Sequence, residues 1–293
     1  MAWTVGAAFT EFENKLLPTK PQVDGLQPKI NTATSYLTKG FPATSNMPFD
    51  LSRSKLMGSA AQGTLIKPLD DIDFLAVFDD SSNIWEDTYY TNSQAFIQRV
   101  RSAFVNCRIE TIGVRGQAVR LFYKQGAHVD IAPVFWRVGG GYFLPAGDNT
   151  WLITDPDTQS QWFISNNQRL SNQLLPLIRL LKRWNSVHGK VLKSYHLSVM
   201  VANLFISLNT DRADAVRVFF VHASQYLDVQ DPAGYSGTLS SYLTTNARQR
   251  LVLRFANAAQ RAAQAQAAAA RGDSREAIRL WSIEFGSDFP SYG

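Results

Sequence analysis

One cysteine, Cys107, stands in 293 residues, which excludes an intramolecular disulfide and a cysteine-rich zinc cluster and suits a reducing compartment. Long hydrophobic runs are missing as well. The longest, Leu197 to Leu208, falls short of the roughly 20 residues that a bilayer-spanning helix needs, and it is interrupted by Ser198 and Asn203. The opening stretch, MAWTVGAAFTEFENKL, carries Glu11 and Glu13 and no basic lead-in, so it does not read as a secretory signal. No internal repeat is found. These absences predict a cytoplasmic protein with no membrane contact. What is present is enough apolar material, 45% of residues with 12% aromatic, for one large core or two moderate ones.

Charge is unevenly placed. Through residue 150, Lys and Arg balance Asp and Glu at 14 each, whereas residues 151–293 carry 15 against 10, so the whole net charge of +5 lies in the second half. Two readings stand side by side: an ordinary basic helical surface, or a lobe that faces phosphates.

The two halves also differ in periodicity. Between about Leu56 and Trp151 the runs IDFLAVF, CRIETIGV, AVRLFY, HVDIAPVFWRV and GYFLPA read as strands separated by turns, with a helix over Ser93 to Phe104. That predicts an α/β lobe with a mixed or antiparallel sheet. After about Asp157 the spacing becomes helical. Leu174, Leu177, Ile178 and Leu181 share a face ahead of Gly189, SYHLSVMVANLFISL opens at Ser194 as an expected N-cap, and an alanine-rich stretch ends at Gly272. The expected division is a catalytic lobe over residues 1–156, with an N-terminal helix packed across both lobes, and a helical lobe over residues 157–293.

The chemistry concentrates in GSAAQGTLIKPLDDIDFLAVFDD, Gly58 to Asp80. On a strand, residues two apart share a face, so Asp71 and Asp73 point together and Asp70 points away. Two carboxylates at that spacing converge on divalent cations, and an oxygen-only donor set favours Mg²⁺ or Mn²⁺ over zinc. Thirteen residues upstream of Asp71, Gly58 permits a tight turn with exposed N–H groups and Ser59 adds a hydroxyl, together a small cradle for a terminal phosphate.

Met57-Gly58-Ser59, eleven residues, then Asp71-Ile72-Asp73-Phe74 resembles the nucleotidyltransferase superfamily of DNA polymerase beta. The resemblance implies a third carboxylate on a neighbouring strand, and Asp130 in GAHVDIAPVF matches it. His128 shares the face of Asp130, where a structural role stands beside one at the substrate. LIRLLKRWN, LKSYHL and AIRLWSIEFGSDFP look like the helical-lobe signatures of the bacterial cyclic-oligonucleotide synthases, the CD-NTase family, relatives of cyclic GMP-AMP synthase and the oligoadenylate synthetases. His196-Leu197-Ser198 departs from the pattern, with Ser where many relatives have Glu, and the zinc insertion of the animal DNA sensor is missing.

The resemblance implies a two-lobed fold of the α/β (α+β) class, polymerase-beta-like, with its active site in the cleft. It implies two Mg²⁺ (or Mn²⁺) ions on Asp71, Asp73 and Asp130, and NTP substrates, ATP and/or GTP. Gly58, Ser59, Lys182 and Ser194 would hold the donor nucleotide and the ring of Tyr195 would stack on a base. Lys182 is open to a second reading, as part of a solvated stripe with Arg179 and Arg183, and Tyr195 to one as core. The implied product is a cyclic di- or trinucleotide for CBASS-type anti-phage signalling, read by a downstream effector, with RNA as a candidate activator. Two alternatives remain open: a transferase acting on an RNA 3′ end or another macromolecule, and an inactive nucleic-acid-binding scaffold. Against the scaffold stand the clustered acids, which repel phosphate.

Overall fold

The computed structural model describes residues 2–44, 47–80, 82–107, 109 and 111–293. By its internal contacts the chain divides into a sheet unit, Pro18–Gly63 with Pro68–Ser160, and a helical unit, Met1–Leu17, Thr64–Lys67 and Gln161–Gly293. A mixed-sheet unit and a helical unit are the architecture expected from the sequence.

The sheet unit holds seven strands among the described residues: β1 (Asp50–Leu56), β2 (Asp71–Asp79), β3 (Thr111–Arg115), β4 (Ala118–Phe122), β5 (His128–Trp136), β6 (Tyr142–Pro145) and β7 (Trp151–Thr154). The order is β1-β2-β5-β4-β3, with β6 on β5 and β7 on β6. β2 and β5 pair in parallel and every other pair is antiparallel.

β2 explains its own apolar run. Ile72, Phe74, Ala76 and Phe78 are buried on one face, and Leu75 and Val77 are buried on the other. A strand covered on both sides loses the simple alternation of a half-exposed one. Under the first face, Phe78 meets Phe41 and Phe96 at ring-centroid distances of 4.9 and 5.5 Å, and Phe96 stacks on Phe135 at 4.3 Å. Each fully buried ring of this kind contributes ~1.5–3 kcal/mol, which locks the strand's register. On the second face Leu75, Val77, Val134 and Tyr142 form a smaller cluster, leaving the start of β2 polar.

Several elements escape the sequence reading, among them β7, the helices Pro156–Arg169 and Arg212–His222, β1 and the helix Leu26–Gly40. β1, DLSRSKL, is polar and takes its conformation from pairing with β2. The helix Leu26–Gly40 buries only Leu26, Ala33 and Leu37, too thin a stripe to show as a period. The strand expected from Cys107 begins at Thr111, and Arg108 and Glu110 lie outside the described residues.

In the helical unit, Val5–Leu16 is capped by Thr4, whose hydroxyl accepts from Ala7 N–H at 3.2 Å. Its Phe9 and Phe12 pack on Phe285 and Phe289 of the helix Ser274–Phe285 and the residues after it. The alanine-rich stretch is one helix, Thr245–Ala270, with Ala258, Ala262 and Ala265 buried at helical spacing against its neighbours. Among the described residues no helix is long and apolar enough to cross a membrane.

Candidate active site

β2 and β5 bring the sequence-predicted carboxylates to one end of the sheet. Ile72 is buried in the aromatic face, so Asp71 and Asp73 take the opposite one. Asp70 precedes the strand and is exposed, its carbonyl accepting from His128 N–H at 3.0 Å. The parallel register sets Asp73 beside Asp130 and Asp71 beside His128. The antiparallel register sets Arg120 beside Asp130. Asp73, Asp130 and Arg120 therefore form a row across three adjacent strands.

The turn before β2 is built against this row. Met57 N–H donates to the Asp73 carbonyl at 2.9 Å, and Gly58, at φ +57°, opens the single turn Gly58–Ala61 that contains Ser59. A Cβ on residue 58 would lie 2.2 Å from Asp73 Oδ2. Glycine is therefore required twice, for the left-handed backbone and for the close approach to the carboxylate.

Arg120 is a component that the sequence reading missed. It is 8% exposed, its Nε donates to Asp130 Oδ1 at 2.5 Å, and its Nη2 donates to Asp130 Oδ2 and to Asp71 Oδ2, the latter at 3.2 Å. The hydrogen bonds to Asp130, with the charge of Asp71 adding to them, raise the guanidinium's pKa against the opposing effect of burial. The signal was present in AVRLFY, where a lone arginine interrupts an apolar strand ten residues before Asp130. His128 takes a structural position: Nδ1 accepts from Tyr123 N–H at 3.3 Å and the ring sits edge-on to Phe122.

The donor chemistry fits a hard divalent cation, because Asp71, Asp73 and Asp130 offer only oxygen and share one face. As they stand, no three Asp, Glu, His or Cys among the described residues are grouped tightly enough to cage an ion. Arg120 already supplies positive charge to two of the three.

Lys182, Ser194 and Tyr195 belong to the helical unit. Lys182 Nζ donates to the Thr64 carbonyl at 2.8 Å. Its neighbours do not form a solvated stripe: Arg183 is bound to Asp288 at 2.5 Å, and burial lowers the pKa of Arg179. Ser194 is the first residue of the helix Ser194–Leu204, and the N-cap position falls to Lys193, a correction to the expected cap. Tyr195 is partly buried, edge-on to Phe163, and its hydroxyl donates to Asp231 at 2.7 Å. Burial first, and Asp231 second, push the Tyr195 phenol far above its usual pKa. Asp231, itself buried, also accepts from Ala233 and Ser236 N–H, so it ties a turn to the tyrosine. Its signal was the turn sequence DPAGYSG.

A glycine turn is thus pressed on the second of two same-face aspartates, with a third aspartate in register on the parallel neighbour. The chain belongs to the Second Messenger Oligonucleotide or Dinucleotide Synthetase family, whose pattern it matches over residues 3–167. It is 26% identical to a probable cyclic nucleotide synthase of Bacillus cereus (strain VD146), over 100% of this chain and 99% of that one. With a cyclic AMP-AMP-AMP synthase of Acinetobacter sp. it shares 23% identity over 80% of this chain and 72% of the other. Among solved structures it superposes on E. coli MS115-1 CdnC, in its complex with HORMA-deltaN, at TM-score 0.77 and 18% identity, covering 97% of this chain and 98% of that one. On Vibrio cholerae DncV, a cyclic AMP-GMP synthase, the TM-score is 0.76 at 14% identity, covering 99% and 98%. The protein is thus a CD-NTase, an enzyme that makes a cyclic oligonucleotide second messenger, and nucleotidyltransferases of this family are metal dependent.

Proposed function

We propose that this chain condenses ATP and/or GTP into a cyclic di- or trinucleotide in anti-phage signalling, with Asp71, Asp73 and Asp130 as its catalytic carboxylates. The observation that carries the assignment is the packing of Gly58 against Asp73 beside Asp130. Asp71, Asp73 and Asp130 would hold the divalent cations, Mg²⁺ or Mn²⁺ by their oxygen donors and two by resemblance. When bound, these ions lower the pKa of the attacking ribose hydroxyl and neutralise the leaving pyrophosphate.

The protein's own groups supply position. Turn N–H groups at Gly58 and the Ser59 hydroxyl orient phosphate oxygens; Lys182 and Ser194 hold the donor triphosphate, and Tyr195 offers a ring for sequence-tolerant stacking. Fixing donor and acceptor in line accounts for most of the acceleration in such reactions.

Incubation of the pure protein with labelled NTPs and Mg²⁺ or Mn²⁺ tests the reading. A short product resistant to phosphatase, with the mass of a closed ring, supports it; a phosphatase-sensitive linear chain, or label entering added RNA, overturns it in favour of an RNA 3′-end transferase. An activating RNA rests on the +5 excess of the second half and on the resemblance to the oligoadenylate synthetases. Ion pairing leaves most of that excess in place: the carboxylates that meet Arg183, Arg217, Arg248, Arg261 and Arg279 are already counted in it, and only Arg212 meets an acid of the first half, Glu13. Full activity after nuclease treatment removes RNA from the scheme.

A further inference from the structure

Arg120 occupies the electrostatic place of a cation. A guanidinium is planar, permanently charged and forked, so it satisfies two carboxylates at once and offsets their mutual repulsion. It does so here with the oxygens a metal would need. Both oxygens of Asp130 are engaged, and so is Oδ2 of Asp71. Its side chain has little freedom to leave casually, since it is 10% exposed and rises from β4 opposite Asp130 in the sheet register.

We propose that Arg120 is a resident counter-ion which a divalent cation must displace from Asp71 and Asp130, so that the site binds metal weakly alone and tightly only together with a nucleoside triphosphate. The triphosphate makes the difference because it brings its own oxygen ligands and several negative charges, which offset the loss of the guanidinium contacts and give the released cation a site in net balance. The inference rests on the assignment of Asp71, Asp73 and Asp130 as metal ligands, and its test separates the two.

Mn²⁺ binding to the full chain, followed by the loss of the free-ion electron paramagnetic resonance signal, is measured with and without a non-hydrolysable ATP analogue. Without nucleotide, Arg120→Gln should bind Mn²⁺ at least tenfold more tightly than the wild type. Arg120→Lys, which keeps the charge and loses the fork, should bind severalfold more tightly. The analogue should raise wild-type affinity far more than that of Arg120→Gln. Mg²⁺ alone should raise the melting temperature of Arg120→Gln and leave the wild type nearly unmoved. Equal or weaker Mn²⁺ binding by Arg120→Gln overturns the proposal; if that variant fails to fold, equal or weaker binding by Arg120→Lys does so. Adding Asp73→Asn to the tighter-binding variant distinguishes the underlying assignment. Loss of Mn²⁺ supports the carboxylates as ligands whatever the arginine does, and undiminished binding overturns them and the proposal together.

Discussion

Replacing Gly58 by alanine perturbs the site by one methyl group, and the structure gives the expected size of the effect. Residue 58 has φ +57°, a conformation that costs an L-residue ~1–2 kcal/mol. The new Cβ would stand 2.2 Å from Asp73 Oδ2 and 3.1 Å from its Cγ. Ordinary contact requires the carboxylate to retreat by about 1 Å or the turn to lift by as much. The turn is pinned by Met57 N–H on the Asp73 carbonyl, so Asp73 gives way first. A displacement of that order at reacting groups costs ~100-fold in rate. Stability should fall by only ~1–2 kcal/mol from the backbone term, a melting shift of a few degrees for a chain of this size, on the order of 2–4 °C per kcal/mol. The assay is the initial rate of pyrophosphate release from ATP and GTP with Mg²⁺, beside a thermal melt. Ser59→Ala, which removes a hydroxyl without straining the backbone, serves as the control and should lose less. A Gly58→Ala enzyme within threefold of wild type, or one whose loss merely tracks its unfolded fraction, refutes the reasoning.

Asp71→Asn or Asp73→Asn should abolish turnover, and Asp70→Asn should lower it mildly, because Asp70 precedes β2; equal losses in the same assay would place the register elsewhere. Tyr195→Ala should weaken nucleotide binding by ~1–3 kcal/mol, the range for a lost stacking contact, measured calorimetrically with an unreactive analogue; unchanged affinity would make the tyrosine a packing residue. Glu284 is 1% exposed and accepts from Trp184 Nε1 at 2.8 Å and from Arg261, with His188 Nε2 at 3.4 Å. Glu284→Gln should cost ~3–5 kcal/mol of folding stability in denaturant melts, the range for stranding a buried partner, and a loss below 1 kcal/mol would show that the group is not coupled. Burial alone would raise the Glu284 pKa, but the bonds from His188, Trp184 and Arg261 outweigh it and hold the carboxyl below 4.5. Its stabilisation is therefore complete above the unfolded value and lost as pH falls through the lower folded one, so the acid limb of the wild-type stability curve should flatten in Glu284→Gln.

Strand periodicity converts spacing into facing, so Asp71 and Asp73 could be set on one face from residue order alone; Asp130 came from the resemblance to the polymerase-beta superfamily, and only the register of β5 on β2 sets it beside Asp73. Arg120 was passed over: the lone arginine in AVRLFY carried a signal, but its pairing with Asp130 depends on the register of β4 on β5, which residue order leaves open. The Gly58–Asp73 approach was half legible; the glycine signalled a turn, and only the pairing of Met57 with Asp73 shows what the turn leans on. Helices with full apolar faces, such as Leu174–Val187, stood out, whereas β1 drew its conformation from a neighbour and carried little pattern of its own. Tyr195 was singled out for its ring, but the hydroxyl is held by Asp231, 36 residues away in the chain.

β2 puts two incompatible environments on a single strand: aspartates on one side at its start, and Ile72, Phe74 and Phe78 under the aromatic layer on the other. Because successive side chains alternate, deleting one residue between Asp73 and Phe78 would turn everything beyond it to the opposite face and drive either Phe78 into the small cluster of Leu75, Val77, Val134 and Tyr142 or a carboxylate into the Phe41–Phe96 layer. The gene can therefore tolerate length changes in the loop after Val138, where the chain is exposed, but an in-frame codon loss inside β2 removes fold and chemistry in the same event. Scanning single-codon deletions across this region would trace the strand's outline as a sharp block of lost folding and activity, narrower than any map of point substitutions could draw.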